Sequence, residues 1–243
     1  DDPILEIGPG KGILTQGLIH LAGKLTALEI DPLLCAELKK RFDTKANFNL
    51  IQANALKFDY SCIGSTYKVV SNLPYYAATH ILKRLINYRI RISDMTVMLQ
   101  KEVVDRLTAQ PGEKEYGSLS VFIQYYCKLE RILEVKKECF SPPPKIDSSV
   151  IRLTPLPQPK VVVIDENIFF KIVHAAFLHK RKMLKSNLKE WQKQFKTEGG
   201  KIKLAEIDLS RRGETLSLQD FASISNHISS KKKLKVSSFY FKT

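Results

Sequence analysis

A short apolar strand that runs into a glycine-punctuated turn and then a helix leaves a chain few folds to choose from, and residues 4 to 21 have this form. Ile4 to Ile7 reads as a buried strand, Gly8-Pro9-Gly10-Lys11-Gly12 as the turn, and Gly12 to Leu21 as the helix. Glycines at such a turn let the backbone approach a ligand closely and let the helix N-terminus face it. Leu25 to Glu29 reads as a second strand, and Glu29 stands 21 residues after Gly8, where a carboxylate can accept both ribose hydroxyls of a nucleoside. Together these features signal a Rossmann-type nucleoside site.

The pattern continues as alternating strands and helices, which predicts an α/β unit with a mostly parallel sheet over residues 1–155. Leu33 to Phe42 reads as a helix, and Phe48 to Gln52, Lys68 to Ser71 and Thr96 to Leu99 as short buried strands. The apolar positions of Ser118 to Tyr126 fit either period, and helix is the preferred reading. Leu129 to Val135 and Ser149 to Leu153 alternate as a final antiparallel pair, with Pro142-Pro143-Pro144 between them. Thr154-Pro155-Leu156-Pro157-Gln158-Pro159 reads as an extended linker, so the domain boundary is placed there. Beyond it, over residues 160–243, Ile168 to Phe177, Met183 to Phe195, Leu204 to Ile207 and Leu218 to Ile228 show helical spacing, with Ser217 as the N-cap of the last. This predicts a small α-helical unit that ends in a flexible cationic tail at Lys231-Lys232-Lys233-Leu234-Lys235.

The glycine turn alone serves nicotinamide, flavin and adenosyl ligands alike, but two features favour S-adenosylmethionine. A dinucleotide fingerprint wants its last glycine three positions after the second, whereas Gly12 follows Gly10 by two. Glu6, just before the turn, suits an amino-acid ammonium and would repel a pyrophosphate. At the end of the fourth strand stands Asn72-Leu73-Pro74-Tyr75, the position where an open α/β sheet places its reacting ligand. An adenine N6 amine is a poor nucleophile because its lone pair is delocalised into the ring. The Asn72 side-chain oxygen and the carbonyl of Leu73 or Pro74 can accept its N–H hydrogens and direct the lone pair, while Tyr75 offers a ring on which a flipped base can stack.

Charge adds a partner class. The chain of 243 residues carries a net charge of +14, with 21 Lys and Arg against 17 Asp and Glu in residues 1–155 and 18 against 8 in residues 156–243. A field concentrated in the last third suits a polyanion, because each neutralised phosphate releases counterions. Lys180, Arg181, Lys182, Lys185 and Lys189 are expected along one or two helical faces, where they can track phosphates. Cys35, Cys62, Cys127 and Cys139 form no C-x-x-C pair, so neither a zinc site nor a disulfide framework is expected. No run approaches the roughly 18 to 20 apolar residues of a membrane span, and the opening Asp1-Asp2-Pro3 is no signal peptide, so a soluble cytoplasmic protein is expected.

Beyond the glycine turn and Asn72 to Tyr75, several stretches carry a specific resemblance: Leu99-Gln100-Lys101-Glu102-Val103, Tyr116-Gly117-Ser118-Leu119-Ser120-Val121, Gln124-Tyr125-Tyr126, and Phe140-Ser141-Pro142-Pro143-Pro144-Lys145-Ile146-Asp147-Ser148. Ala176-Phe177, Lys180-Arg181-Lys182 and Ser186-Asn187-Leu188 extend it nearly to the end of the chain. With these motifs the sequence resembles the ribosomal RNA adenine dimethyltransferases, and within them the housekeeping branch that acts on the small subunit. The resemblance implies a Rossmann-like class I methyltransferase sheet with a small C-terminal α-helical domain, and S-adenosyl-L-methionine as cofactor. It implies cofactor contacts from Glu6, Gly8, Gly10, Glu29, Asn54, Ala55 and Asn72. It also implies a target adenine handled by Asn72, Leu73 and Pro74 and flanked by Tyr75 and Phe140. Asn54 stands where the family usually has aspartate; it keeps an acceptor oxygen and loses the charge. The family also carries, before its first strand, a segment that closes over the methionine end of the cofactor, and the sequence here starts at the strand itself. The implied partner is small-subunit rRNA or the immature small ribosomal subunit, met by a monomer, with no membrane and no metal. Competing readings are a nicotinamide oxidoreductase, a DNA or large-subunit rRNA adenine-N6 methyltransferase, and a mainly non-enzymatic ribosome assembly factor.

Overall fold

The computed structural model describes residues 2–198 and 201–240, with side chains described through residue 231 except that of Glu198. The chain forms two compact units, residues 1–105 with 126–157, and residues 106–125 with 158–243.

The first unit is built on seven strands: β1 (Pro3–Ile7), β2 (Lys24–Glu29), β3 (Phe48–Gln52), β4 (Tyr67–Asn72), β5 (Ile92–Gln100), β6 (Cys127–Val135) and β7 (Ser148–Pro155). Their order in the sheet is β3-β2-β1-β4-β5-β7-β6. The first five are parallel, and β7 is antiparallel to both β5 and β6. Strands covered on both faces read as continuous apolar runs, which is why Leu5, Leu25, Ala27, Val69, Met95 and Val97 are fully buried. Crossovers between them carry helices α1 (Ile13–Leu18), α2 (Pro32–Phe42) and α3 (Ala78–Asn87). Asp31 caps α2 by accepting from Leu33 N at 2.8 Å, with Pro32 ready at the first helical position. In α3 the apolar stripe Ala78, Ile81, Leu82, Leu85 and Ile86 repeats at helical spacing and is buried along its length. The linker expected from Thr154 to Pro159 starts two residues too early, since β7 runs through Pro155 and Leu156 N still bonds to Tyr126 O at 2.8 Å.

Helix α4 (Lys101–Thr108) leaves β5, and α5 (Ser118–Tyr126) follows. Unlike the expected split at the proline segment, residues 106–125 pack with the C-terminal part. The reason is aromatic: Tyr125 stacks on Phe169 with ring centroids 4.9 Å apart, and Phe122 meets Phe170 at 5.4 Å. Buried Tyr116 packs edge-on to Phe177 and donates its hydroxyl to Leu216 O at 2.9 Å. Because α5 is buried nearly all round, its apolar positions show no single period.

The rest of the second unit holds α6 (Glu166–Leu178), the short α7 (Leu184–Asn187) and the long α8 (Leu218–Tyr240). Ser217 caps α8 in a reciprocal box, with Asp220 N donating to Ser217 Oγ at 3.1 Å and Ser217 N to the Asp220 carboxylate at 3.0 Å. The backbone of α8 carries the lysine tract read as a flexible tail; its side chains from residue 232 on lie outside the described residues. Two other expectations change here. The helix expected over Met183–Phe195 breaks into α7 and a 3-10 turn at Lys189–Gln194, because Asn187 turns back to donate to Ala176 O and His179 O at the end of α6. The helix expected over Leu204–Ile207 is instead a hairpin. Ala205 and Glu206, at φ 51° and 64°, form a left-handed two-residue turn between β9 (Lys201–Leu204) and β10 (Ile207–Asp208), and β8 (Lys196–Glu198) completes a three-stranded antiparallel sheet. Gly213 is forced by contact, since a Cβ there would lie 2.4 Å from Ala176 O.

Candidate functional site

The connections of the large sheet reverse direction between β1 and β4, and at the carboxyl ends of β1 to β4 lies a cavity of about 400 Å3. Each strand contributes a piece of wall: Gly8 and Gly10 after β1, Leu28, Glu29 and Ile30 from β2, Ala53 to Leu56 after β3, and Pro74, Tyr76 and Ala77 after β4. A crevice at a switch point is where open α/β sheets hold their ligands.

The glycine turn owes its shape to left-handed backbone at Gly8, Gly10 and Gly12, with φ of 67°, 57° and 77°. Gly8 N bonds to Leu28 O at 2.8 Å and Gly12 N to Pro9 O at 2.9 Å, which fixes the turn to β2 and to itself. At Gly12 a side chain has no room as well, because a Cβ would meet Leu38 and Phe42 at 2.8 Å. Across the switch point a Cβ at Gly8 would stand 3.4 Å from Pro74 Cδ, so the glycine turn and the Asn72–Tyr75 segment abut.

Glu29 is the organised charge of the cavity. Its Oε1 accepts from Ile30 N at 2.8 Å and Asp31 N at 3.0 Å, and its Oε2 accepts from Gly10 N at 3.2 Å. Three amides thus hold the carboxylate in one orientation, and lone-pair positions remain for further donors. Beside it, Ile30 and Leu56 are apolar yet 51% and 40% exposed, which makes them walls of the cavity rather than core. Asn54 Oδ1 accepts from Leu56 N at 2.8 Å, and Asn54 O accepts from Lys57 N and Phe58 N, so the loop after β3 is a compact turn.

Six of the residues singled out from sequence therefore share one cavity wall: Gly8, Gly10, Glu29, Asn54, Ala55 and Pro74. Others stand off it. Glu6 is buried beneath the turn, where it accepts from Thr15 Oγ1 at 2.7 Å. Burial pushes its carboxyl up to about 7 against the lowering effect of the Thr15 hydrogen bond, and the nearby Glu29 charge adds to the rise. Asn72 is the exposed last residue of β4, paired with Met98 of β5, and Leu73 is buried with its N–H on Met98 O at 3.3 Å. Tyr75 is half-buried, its hydroxyl 2.6 Å from Ser148 Oγ. Phe140, also half-buried, closes a 3-10 turn at Lys137–Cys139. Sequence reasoning missed Ile30, Leu56 and Tyr76, which is 83% exposed at the cavity mouth. The signal for Ile30 and Leu56 was present, as apolar residues directly after a strand-ending acid and within a polar turn.

The basic residues of the second unit also lie differently from the helical faces expected. Lys180, Arg181 and Lys182 occupy the exposed turn between α6 and α7, Lys185 is on α7, and Lys189 begins the 3-10 turn. Among the described residues no helix is long and apolar enough to cross a membrane.

Comparison with known proteins joins these observations. A family model described as ribosomal RNA adenine dimethylase matches residues 1–230. The ribosomal RNA small subunit methyltransferase A of Clostridium acetobutylicum is 42% identical over 231 residues, covering 94% of this chain and 84% of that protein. The protein of the same name from Bacillus mycoides is 42% identical over 239 residues, covering 91% and 80%. Among solved structures, a dimethyladenosine transferase from Plasmodium falciparum shares the fold with a TM-score of 0.77 at 24% identity, covering 96% of this chain and 91% of that one. The 23S rRNA methyltransferase ErmE does so with a TM-score of 0.69 at 20% identity, covering 94% and 91%. With a family match spanning nearly the whole sequence and relatives above 40% identity over most of their own length, the chain belongs to the ribosomal RNA adenine dimethylase family.

Proposed function

We propose that this chain dimethylates N6 of two adjacent adenosines in small-subunit rRNA, acting as a cytoplasmic monomer on the immature small ribosomal subunit. The observation that carries the reading is the abutment of the glycine turn and the Asn72–Tyr75 segment across the β1/β4 switch point. S-adenosylmethionine, when bound, supplies an electrophilic methyl group on its sulfonium.

The cavity suits the adenosyl part of that cofactor. Glu29, held by three amides, presents acceptors for two ribose hydroxyls, and Ile30 and Leu56 offer apolar faces for a purine. Asn54 and the backbone at Ala55 then line the purine edge. Glu6, buried just before the turn, would pair in its ionised form with an amino-acid ammonium. At the other end, the Asn72 side-chain oxygen and a carbonyl of Leu73 or Pro74 accept the two N–H groups of a target adenine. These acceptors match the positive charge that develops on N6 as it attacks, and after the first transfer one N–H remains for them to hold. Tyr75 and Phe140 flank the base, which must leave its stack to enter. As the N6–methyl bond forms, the bond from the methyl to sulfur breaks and S-adenosylhomocysteine leaves. The cationic N6 is then acidic enough to lose one proton to water, so alignment supplies most of the rate and no dedicated side-chain base is invoked.

The C-terminal part of the chain provides most of the attraction to rRNA, since residues 156–243 carry 18 basic against 8 acidic residues. Mass spectrometry of adenosines after incubation with immature small subunits tests the reading, with large subunits and duplex DNA as controls. Dimethyladenosine should form in small-subunit rRNA alone, and Asn72→Ala should lower the single-turnover rate by roughly two to three orders of magnitude. Methylation of either control in preference, or an unchanged rate in Asn72→Ala, would refute it.

A further inference from the structure

Asp147, just before β7, and Ser148, its first residue, bond respectively to the segment that leads to Phe140 and to Tyr75 itself. Ser148 is fully buried, and its Oγ lies 2.6 Å from the Tyr75 hydroxyl. Asp147 closes the loop that carries Phe140: one carboxylate oxygen accepts from Lys137 N at 3.1 Å and the other pairs with Lys136 Nζ at 3.0 Å. Its carbonyl accepts from Lys101 N at 3.0 Å, where β5 passes into α4. Phe140 N in turn bonds to Lys137 O at 3.2 Å.

We infer that Asp147 and Ser148 are positioning residues for methyl transfer, which register Tyr75 and the Phe140 loop against one rigid strand end. The inference rests on the assignment of those two rings to the target base made above. Ser148 is paired with Gln100 of β5 and Val135 of β6, so it belongs to the sheet and not to a loop. A tyrosine whose hydroxyl is fixed to such a residue keeps its ring plane, and charge-assisted bonds at the base of a loop are stronger than neutral ones. The Lys136 ammonium, and then the Lys137 amide, hold the Asp147 carboxyl below the ordinary range, so the loop closure stays ionised at neutral pH. Neither residue lines the cofactor cavity, so orientation is what they contribute. A displacement of about 1 Å in such a site can lower a rate by about 100-fold.

The test is steady-state methylation of immature small subunits by Ser148→Ala, Ser148→Thr, Tyr75→Phe, the double variant Ser148→Ala/Tyr75→Phe, Asp147→Ala and Asp147→Asn. Loss of the buried hydrogen bond should lower kcat about tenfold in Ser148→Ala and in Tyr75→Phe, with KM for the particle and affinity for S-adenosylhomocysteine within about twofold. Ser148→Thr should restore the rate, and the double variant should be no slower than either single one. Asp147→Ala should lose about tenfold, with Asp147→Asn between it and the parent. Additive losses in the double variant, or a parental kcat in Ser148→Ala while Tyr75→Ala and Phe140→Ala are impaired, would overturn the inference and leave the base site standing. Parental rates in Tyr75→Ala and Phe140→Ala would overturn the base site itself. If Ser148→Ala does not fold, Tyr75→Phe removes the same hydrogen bond from the other side, and an unchanged kcat there is decisive against the inference.

Discussion

Glu6→Gln separates the electrostatics of the buried acid from its packing. The Glu6 side chain is 1% exposed, accepts one hydrogen bond from Thr15, and has its carboxyl pushed up to about 7 from an ordinary 4.5. The folded state therefore holds a proton that the unfolded chain gives up between these two values. Stability from this group is fully present below about pH 4.5 and is lost as pH rises through about 7. A gap of about 2.5 pH units corresponds to about 3 kcal/mol lost across that window. Glutamine keeps the shape and an acceptor for Thr15 but does not ionise. Urea denaturation of both proteins from pH 4.5 to 8 should show the variant gaining on the parent by about 3 kcal/mol over the range. Parallel stability curves would refute the argument that Glu6 is ionised against a desolvation penalty. Repeating the curves with S-adenosylhomocysteine adds a functional reading, because an ammonium held above Glu6 should offset the loss at high pH in the parent alone.

Gly12→Ala should lower stability by about 2 to 4 kcal/mol, the sum of left-handed backbone strain and overpacking against Leu38 and Phe42, and a thermal melt should fall by roughly 5 to 15 °C; a change under about 1 °C would refute it. Reversing Lys180, Arg181, Lys182 and Lys185 to Glu should raise the Kd for small-subunit particles and reduce the slope of log Kd against log salt by about 3, with cofactor affinity unchanged; an unaltered slope would show that this turn is a solvated face.

How much of this was legible depended on what each residue was answering to. The five parallel strands were readable as short apolar runs and the antiparallel β6 and β7 by their alternation, and β3 has the bounds the pattern predicts, Phe48–Gln52. Glu29 was readable because an acid that ends an apolar strand has few structural reasons to be there. The hairpin at Ala205-Glu206 was not, since neither residue type signals a left-handed turn. Nor was the grouping of residues 106–125 with the C-terminal unit, which rests on aromatic contacts across long stretches of chain and leaves no local pattern. Ile30 and Leu56 were passed over although their setting, directly after a strand-ending acid and within a polar turn, marked them, because an apolar residue type alone does not say whether it faces a cavity or the sheet.

The same logic explains why the proposed nucleoside half of the site was more legible than the proposed RNA half. A nucleoside cavity at a switch point is made largely of backbone: left-handed turns that select glycine, and amides that select a carboxylate at one strand end. Backbone geometry restricts residue type, and restricted types appear in a sequence as motifs. A phosphate-tracking surface asks only for positive charge at the right distance, which a turn such as Lys180–Lys182 supplies as well as a helix face. Its sequence record is therefore a charge imbalance without a pattern. Asp147 and Ser148 fall between the two. They are ordinary polar residues at a strand start, and only the distances to Lys136, Lys137 and Tyr75 show that one carboxylate and one hydroxyl hold the supports of two rings.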